Sequence, residues 1–224
     1  MTPIAAIAFD LDGTLVDTAG GIAYALNSAL AEAGQPGFDL MTVRTWIGDG
    51  PDALIARALA AGRHAPHDVP ELATRLRRHF DATTLRAPMR DSSVFDGIPM
   101  VLGRLASRWP LVVVSNKPSA LARAVLEEAG LLNAFASVHG ADSVPQRKPS
   151  PLLLRQAAAR LGVATGALLM VGDAGTDIEA ALAAECHAAW AAWGYGKADG
   201  QAPSRVWPLR TPHDLLVRMA DTEH

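Results

Sequence analysis

The chain has 224 residues, 50% hydrophobic and 19% charged, with a formal net charge of −3. A chain of that size and composition buries roughly 70–75% of its unfolded surface without covalent staples, as one large domain or as a core carrying an insertion. The near-neutral charge gives no electrostatic reason to expect nucleic acid or an anionic membrane as a partner, and one cysteine, Cys186, allows neither an internal disulfide nor a cysteine-based metal site.

Ile4-Ala5-Ala6-Ile7-Ala8-Phe9 is a short apolar run that stops at Asp10, as a strand buried on both faces does, with a turn at Gly13. No Lys or Arg precedes it, and it is too short for a signal-peptide core or a membrane span, so a cytoplasmic setting is expected. From Asp17 to about Asp91 the pattern changes to helices over 19–33, 52–61 and 71–80, with no convincing strand. Gly34-Gln35-Pro36-Gly37 and His64-Ala65-Pro66 mark loops in this stretch, and Asp96-Gly97-Ile98-Pro99 marks the return to the first pattern. Apolar runs then recur over 111–114, before Ser115, and over 167–171, before Gly172-Asp173; helices are expected after them over 120–129 and 178–184. Weaker strand signals follow over 186–190 and 205–209, and a last helix over 212–219. Strands alternating with helices predict an α/β fold, a doubly wound parallel sheet of Rossmann-like form covering 1–16 and 92–224, with an inserted α-helical cap over 17–91. Ligands of such sheets bind beyond the carboxyl ends of the strands, where each polar cluster falls.

Asp10 and Asp12 stand two residues apart where the first strand ends, so both can face one crevice. Two like charges so close either raise one pKa or bind a cation, and an oxygen-rich site suits Mg2+. Taken alone, the pair also fits an ordinary solvated turn. Asp173 follows the third buried run and can supply a further carboxylate, whereas Asp177 opens a helix and also fits a plain cap. Ser115-Asn116-Lys117-Pro118 leads into a helix, a place suited to an anion and equally to a cap. Lys148, in Arg147-Lys148-Pro149-Ser150-Pro151, would offset charge beside a phosphoryl group and three acids.

These four clusters, in this order and strand context, resemble the four motifs of the haloacid dehalogenase-like hydrolase superfamily, over nearly the whole chain. The stretch from Asp10 to Asp17, Thr45-Trp46-Ile47-Gly48, Ser115-Asn116-Lys117-Pro118 and Lys148-Pro149-Ser150-Pro151 is most similar to its helical-capped phosphoglycolate phosphatases. The resemblance implies that Asp10 is the nucleophile and Asp12 the general acid and base, through an aspartyl-phosphate. It implies that Ser115 and Asn116 hold the phosphoryl group, with Lys148 neutralising charge and Trp46 and Gly48 meeting the substrate from the cap. Mg2+ would be held by Asp10, the main-chain carbonyl of Asp12 and Asp173, while Asp177 supports the metal shell or orients Lys148. The expected partner is a small phosphorylated metabolite. Asp12 disfavours dehalogenation, since a halide leaves without a proton. A sugar-phosphate phosphatase, a pyrophosphatase, a phosphomutase and a weakly active phosphate-ester binder are the alternatives.

The chain departs from the family pattern at Ala174-Gly175-Thr176, where Ser-Xaa-Asn is frequent, at Glu185, where glycine is common, and at Asp49, where Asn is frequent. Asp49 either faces solvent or needs compensation from Arg44, Arg57 or the metal. The tryptophans Trp109, Trp190, Trp193 and Trp207 are expected to pack, His64, His67 and His79 to lie at the surface or in the cap, and Cys186 to stand away from the acids.

Overall fold

The computed structural model describes residues 3–62, 69–196 and 206–221. The expected loop at His64-Ala65-Pro66, His67 and the first residue of the strand expected over 205–209 lie outside the described residues. In chain order the elements are β1 (Ala6–Phe9), β2 (Val16–Asp17), α1 (Ala19–Glu32), α2 (Leu40–Arg44), α3 (Pro51–Ala61), α4 (Val69–Arg86), β3 (Ser93–Val94), α5 (Ile98–Ala106) and β4 (Leu111–Ser115). There follow α6 (Ser119–Glu128), β5 (Ser137–Gly140), α7 (Leu152–Leu161), β6 (Leu168–Gly172), α8 (Gly175–Ala183), β7 (His187–Ala191), β8 (Val206–Leu209) and α9 (Pro212–Asp221). No helix among the described residues is long and apolar enough to cross a membrane.

Six strands form an all-parallel sheet in the order β5-β4-β1-β6-β7-β8. β1 is central, with Ile7 opposite Leu111 on one side and Leu169 on the other. The chain winds outward from β1 through β4 to β5 and then returns to its other side through β6, so the switch point lies at the carboxyl ends of β1, β4 and β6. Side chains alternate across the sheet. Ile7 and Phe9 face a core built with Val101, Leu102 and Leu105 of α5, Val125 and Leu126 of α6, and Leu215 and Met219 of α9. Ala6 and Ala8 face the opposite layer, where Leu153, Leu154, Ala157 and Ala158 of α7 meet Ala180 and Ala181 of α8. Alanines on both sides of that interface let the helices approach the sheet closely.

Between β2 and β3, helices α1 to α4 bury a cluster of their own, which includes Ile22, Leu26, Leu30, Val43, Leu54, Ile55, Leu76 and Phe80. Leu121 of α6 joins it, so the helical block rests on the first turn of a sheet-packing helix. The chain enters and leaves the block side by side, because β2 and β3 pair antiparallel with Val16 opposite Val94 and Asp17 opposite Ser93.

The short strands β2 and β3 and the helix α5 were not anticipated, and three further features differ from expectation. β5 is an edge strand of sequence Ser-Val-His-Gly, half-buried and without an apolar run to announce it. α2 starts at an Asp39 cap that accepts from Thr42 N at 2.7 Å, although its five residues bury only Val43. α4 runs 18 residues and not the expected ten, because one face stays in register with the cluster through Leu76, Phe80 and Thr83.

Candidate active site

Three buried strands deliver the site. β1 ends before Asp10, β4 ends on Ser115, and β6 ends on Gly172 before Asp173, so the residues of the separate clusters converge at the switch point. Gly13 turns the chain after Asp10 at φ +90°, and a Cβ there would lie 2.5 Å from Asp173 Oδ2. Position 13 therefore requires glycine for its backbone and for the approach of Asp173.

Asp10, Asp173 and Asp177 offer oxygens that all lie within 4.8 Å of one another, and all three residues are buried. Lys148 Nζ donates to Asp10 Oδ1 at 2.8 Å and to Val114 O at 2.9 Å, and it lies 2.6 Å from Asp177 Oδ1. Asp177 keeps its capping role as well, since Oδ2 accepts from Ala174 N at 3.0 Å. Asp173 Oδ1 accepts from Thr14 Oγ1 at 2.8 Å, and its Oδ2 accepts from Tyr195 N at 2.8 Å and Gly196 N at 3.3 Å.

Burial pushes the Asp10 carboxyl up to about 6, against the pull of Lys148 and with a further push from Asp177. Burial, followed by the charge of Asp10, likewise raises Asp173 to about 6. Asp177 is raised by burial too, with Lys148 opposing. Burial disfavours the Lys148 ammonium, but Asp10 and then Asp177 outweigh it and hold its pKa above the ordinary lysine value. One ammonium thus faces three buried carboxylates, and the two charges left over match a divalent cation bound by oxygen. The donor set fits Mg2+.

Asp12 lies apart from this trio. Both of its oxygens accept from Lys117 Nζ, at 2.9 and 3.0 Å, and Thr18 Oγ1 donates to Oδ1 at 2.6 Å. Asp10, Asp12, Ser115, Asn116 and Lys117 form one side of a cavity, and Ile22, Ile47, Gly48, Gly50, Pro51, Leu54 and Phe80 of the helical block form most of the other. Asn116 fastens the two sides: Nδ2 donates to Gly48 O at 2.9 Å and to Lys148 O at 3.1 Å, while Oδ1 accepts from Lys148 N at 2.7 Å. Arg147 reaches across to Asp52 at the start of α3, which Arg77 also binds.

Asp10, Asp12, Ser115, Asn116 and Gly48 therefore meet at the cavity, with Lys148, Asp173 and Asp177 directly behind Asp10. Trp46 is not brought there. It packs edge-on to Phe38 at 4.9 Å inside the helical block, where its carbonyl accepts from Arg57 at 2.7 Å. Asp49 is absent from the cavity wall; its side chain is 38% exposed and pairs with Arg57, so it both faces solvent and has a partner for its charge. His79 contacts Ser28 and Glu32 within the block. Cys186 is buried in the α7–α8 layer, where burial pushes its thiol up to about 12 and so disfavours the thiolate.

Several supporting residues escaped the sequence reading. Tyr195 Oη accepts from Thr18 N at 2.6 Å and Ala19 N at 3.0 Å and donates to Asp17 Oδ1 at 2.7 Å, so the residue that holds Asp173 also holds the start of α1. Trp190 and Trp193 pack as expected and also donate from Nε1 to Asp173 O and Thr14 O, both at 3.0 Å. The clue was the glycine spacing in Trp193-Gly194-Tyr195-Gly196, a backbone built for close approach.

The family model for haloacid dehalogenase-like hydrolases matches residues 4–185. A phosphoglycolate phosphatase of Yersinia pseudotuberculosis is 36% identical over 220 residues, covering 97% of this chain and 91% of the relative. One from Rhodospirillum rubrum is 40% identical over 195 residues, covering 86% and 81%. A crystal structure from Haemophilus somnus, described as a "predicted phosphoglycolate phosphatase", superposes with a TM-score of 0.86 at 30% identity, covering 97% of this chain and 99% of that one.

Proposed function

The chain belongs to the haloacid dehalogenase-like hydrolases and is a phosphomonoester hydrolase; we propose that its substrate is 2-phosphoglycolate and that Asp10 is phosphorylated during turnover. The observation that carries this reading is the place of Asp10. It ends the central strand, lines the cavity beneath the helical block and belongs to the buried acid trio. Relatives called phosphoglycolate phosphatase, matched over most of both chains, support the substrate.

In this account Asp12 takes the proton of the entering phosphate monoanion, an oxygen of Asp10 attacks phosphorus, the bond from phosphorus to the glycolate oxygen breaks, and Asp12 gives the proton to that oxygen. Asp12, now a carboxylate, takes a proton from water as the water oxygen attacks the phosphorus on Asp10. The Asp10 oxygen is released, and inorganic phosphate leaves with the proton from Asp12, which returns to its ion pair with Lys117. Ser115 and the backbone N–H of Asn116, ahead of α6, hold phosphoryl oxygens. Lys148 keeps Asp10 oriented and offsets charge. Mg2+ would be held by Asp10, Asp173 and the main-chain carbonyl of Asp12, with Asp177 in support, and would offset the negative charge that repels the attacking carboxylate.

Residues 17–91 act as a cap on a core made of 1–16 and 92–224. Their separate apolar cluster and their paired entry and exit through β2 and β3 suit a hinge that opens for substrate and closes against water. The test is phosphate release from 2-phosphoglycolate, pyrophosphate, sugar phosphates and nucleotides, with Mg2+ and with chelator. A strong Mg2+-dependent preference for 2-phosphoglycolate is expected; equal activity across the panel would discard that substrate, and no release from any ester would overturn the reading.

A further inference from the structure

Among the residues lining the cavity there is one cation, Lys117, and it is 5% exposed. Among the described residues the other basic groups near the cavity do not line it and have partners: Arg57 has Asp49 and Trp46 O, Arg147 has Asp52 through Nη2 while its buried Nε has no hydrogen-bond partner, Arg44 lies over the Tyr195 ring at 4.9 Å, and Lys148 sits within the acid trio. The wall contributed by the helical block is apolar, with Ile22, Ile47, Leu54 and Phe80. A second negative group on a substrate that enters this cavity thus finds one ammonium to meet it. An unpaired carboxylate in such surroundings would be strongly disfavoured.

The place of that ammonium is specific. Lys117 Nζ touches both oxygens of Asp12, the acid that serves the ester oxygen in the proposed reaction. In a 2-phosphooxy carboxylate the carboxylate carbon is only two bonds from the ester oxygen. A group that protonates the one and a group that pairs with the other must therefore be neighbours, as Asp12 and Lys117 are. Resting on the phosphatase reading above, we propose that Lys117 determines specificity: it clamps Asp12 in the empty site and passes to the α-carboxylate of the bound ester. The transfer releases the Asp12 oxygens toward the leaving oxygen, while Thr18 keeps the side chain oriented. Substrates without the carboxylate leave the clamp closed, and longer ones put their second charge out of its reach.

The experiment compares kcat/KM for 2-phosphoglycolate and for ethyl phosphate in the wild type, Lys117→Met and Lys117→Arg. Loss of the clamp frees Asp12 for ethyl phosphate and shows in the kcat of that ester, so the carboxylate contact is read in the KM for 2-phosphoglycolate. The expected result is that Lys117→Met lowers the preference for 2-phosphoglycolate by about 30-fold or more, chiefly through KM, and that Lys117→Arg restores part of it. A preference unchanged in Lys117→Met overturns the assignment and leaves the phosphoglycolate reading standing. A wild type that does not prefer 2-phosphoglycolate discards that substrate, and this assignment with it. Should the variants fold poorly, the wild type alone decides with 3-phosphooxypropionate, whose carboxylate is one bond farther away: a fall of about tenfold or more against 2-phosphoglycolate is expected, and equal kcat/KM overturns the proposal.

Discussion

In metal-free buffer the protein is expected to lose stability as the pH rises from 5.0 to 7.5. Asp10 and Asp173 each titrate at about 6 in the fold against an ordinary 3.8, so between those values the folded protein binds more protons than the unfolded chain. Their stabilising effect is therefore present at low pH and is lost as the pH rises through the folded value. At about 1.4 kcal/mol per pKa unit, each acid costs about 1.4 kcal/mol across that interval, and the two together about 2–3 kcal/mol. For a chain of this length that lowers the melting temperature by about 5–10 °C. His139, held below its ordinary value by burial and Arg160, contributes with the opposite sign, so the comparison needs an internal reference. Asp173→Asn supplies it, since it removes one acid and relieves Asp10 of a neighbouring charge. Thermal or urea melts of both proteins in chelator should show the wild type losing at least about 1.4 kcal/mol more than the variant. Equal losses would refute the claim that the buried acids carry uncompensated charge.

Tyr195→Phe removes the acceptor shared by Thr18 N and Ala19 N and should cost about 1–3 kcal/mol, read from the urea midpoint. Gly194→Ala would put a Cβ 2.3 Å from Asp173 Cβ and 2.4 Å from Gly13 O, so Asp173 must move; Mg2+ affinity, followed by titration, should fall about 10–100-fold. Glu185→Gly should stabilise by about 0.5 kcal/mol in a thermal melt. Glu185 sits at φ +60°, and glycine relieves that conformation while costing more chain entropy on folding.

The sheet was legible where burial is complete. The runs that form β1, β4 and β6 are continuous apolar segments ending in Asp10, Ser115 and Gly172-Asp173, and those ends assemble the site. β5 was not legible because an edge strand buries too little to leave an apolar pattern. β2 and β3 are two residues each and are held by pairing with one another, which no local window contains. Within the site the acids announced themselves by position, whereas Lys117 did not. It stands in the motif Ser115-Asn116-Lys117-Pro118 without a role of its own, because its contact with Asp12 spans 105 positions and only the fold buries it. Tyr195 was hidden for the same reason, since its partners Thr18, Ala19 and Asp17 lie at the opposite end of the chain.

The central claim is that phosphorus passes through Asp10, and the stereochemistry at phosphorus tests it most directly. Hydrolysis of 2-phosphoglycolate made chiral at phosphorus with a thio group and oxygen isotopes should proceed with overall retention, because two in-line displacements, first by Asp10 and then by water, each invert the centre. Overall inversion would mean that water attacks the ester directly, and it would contradict the account.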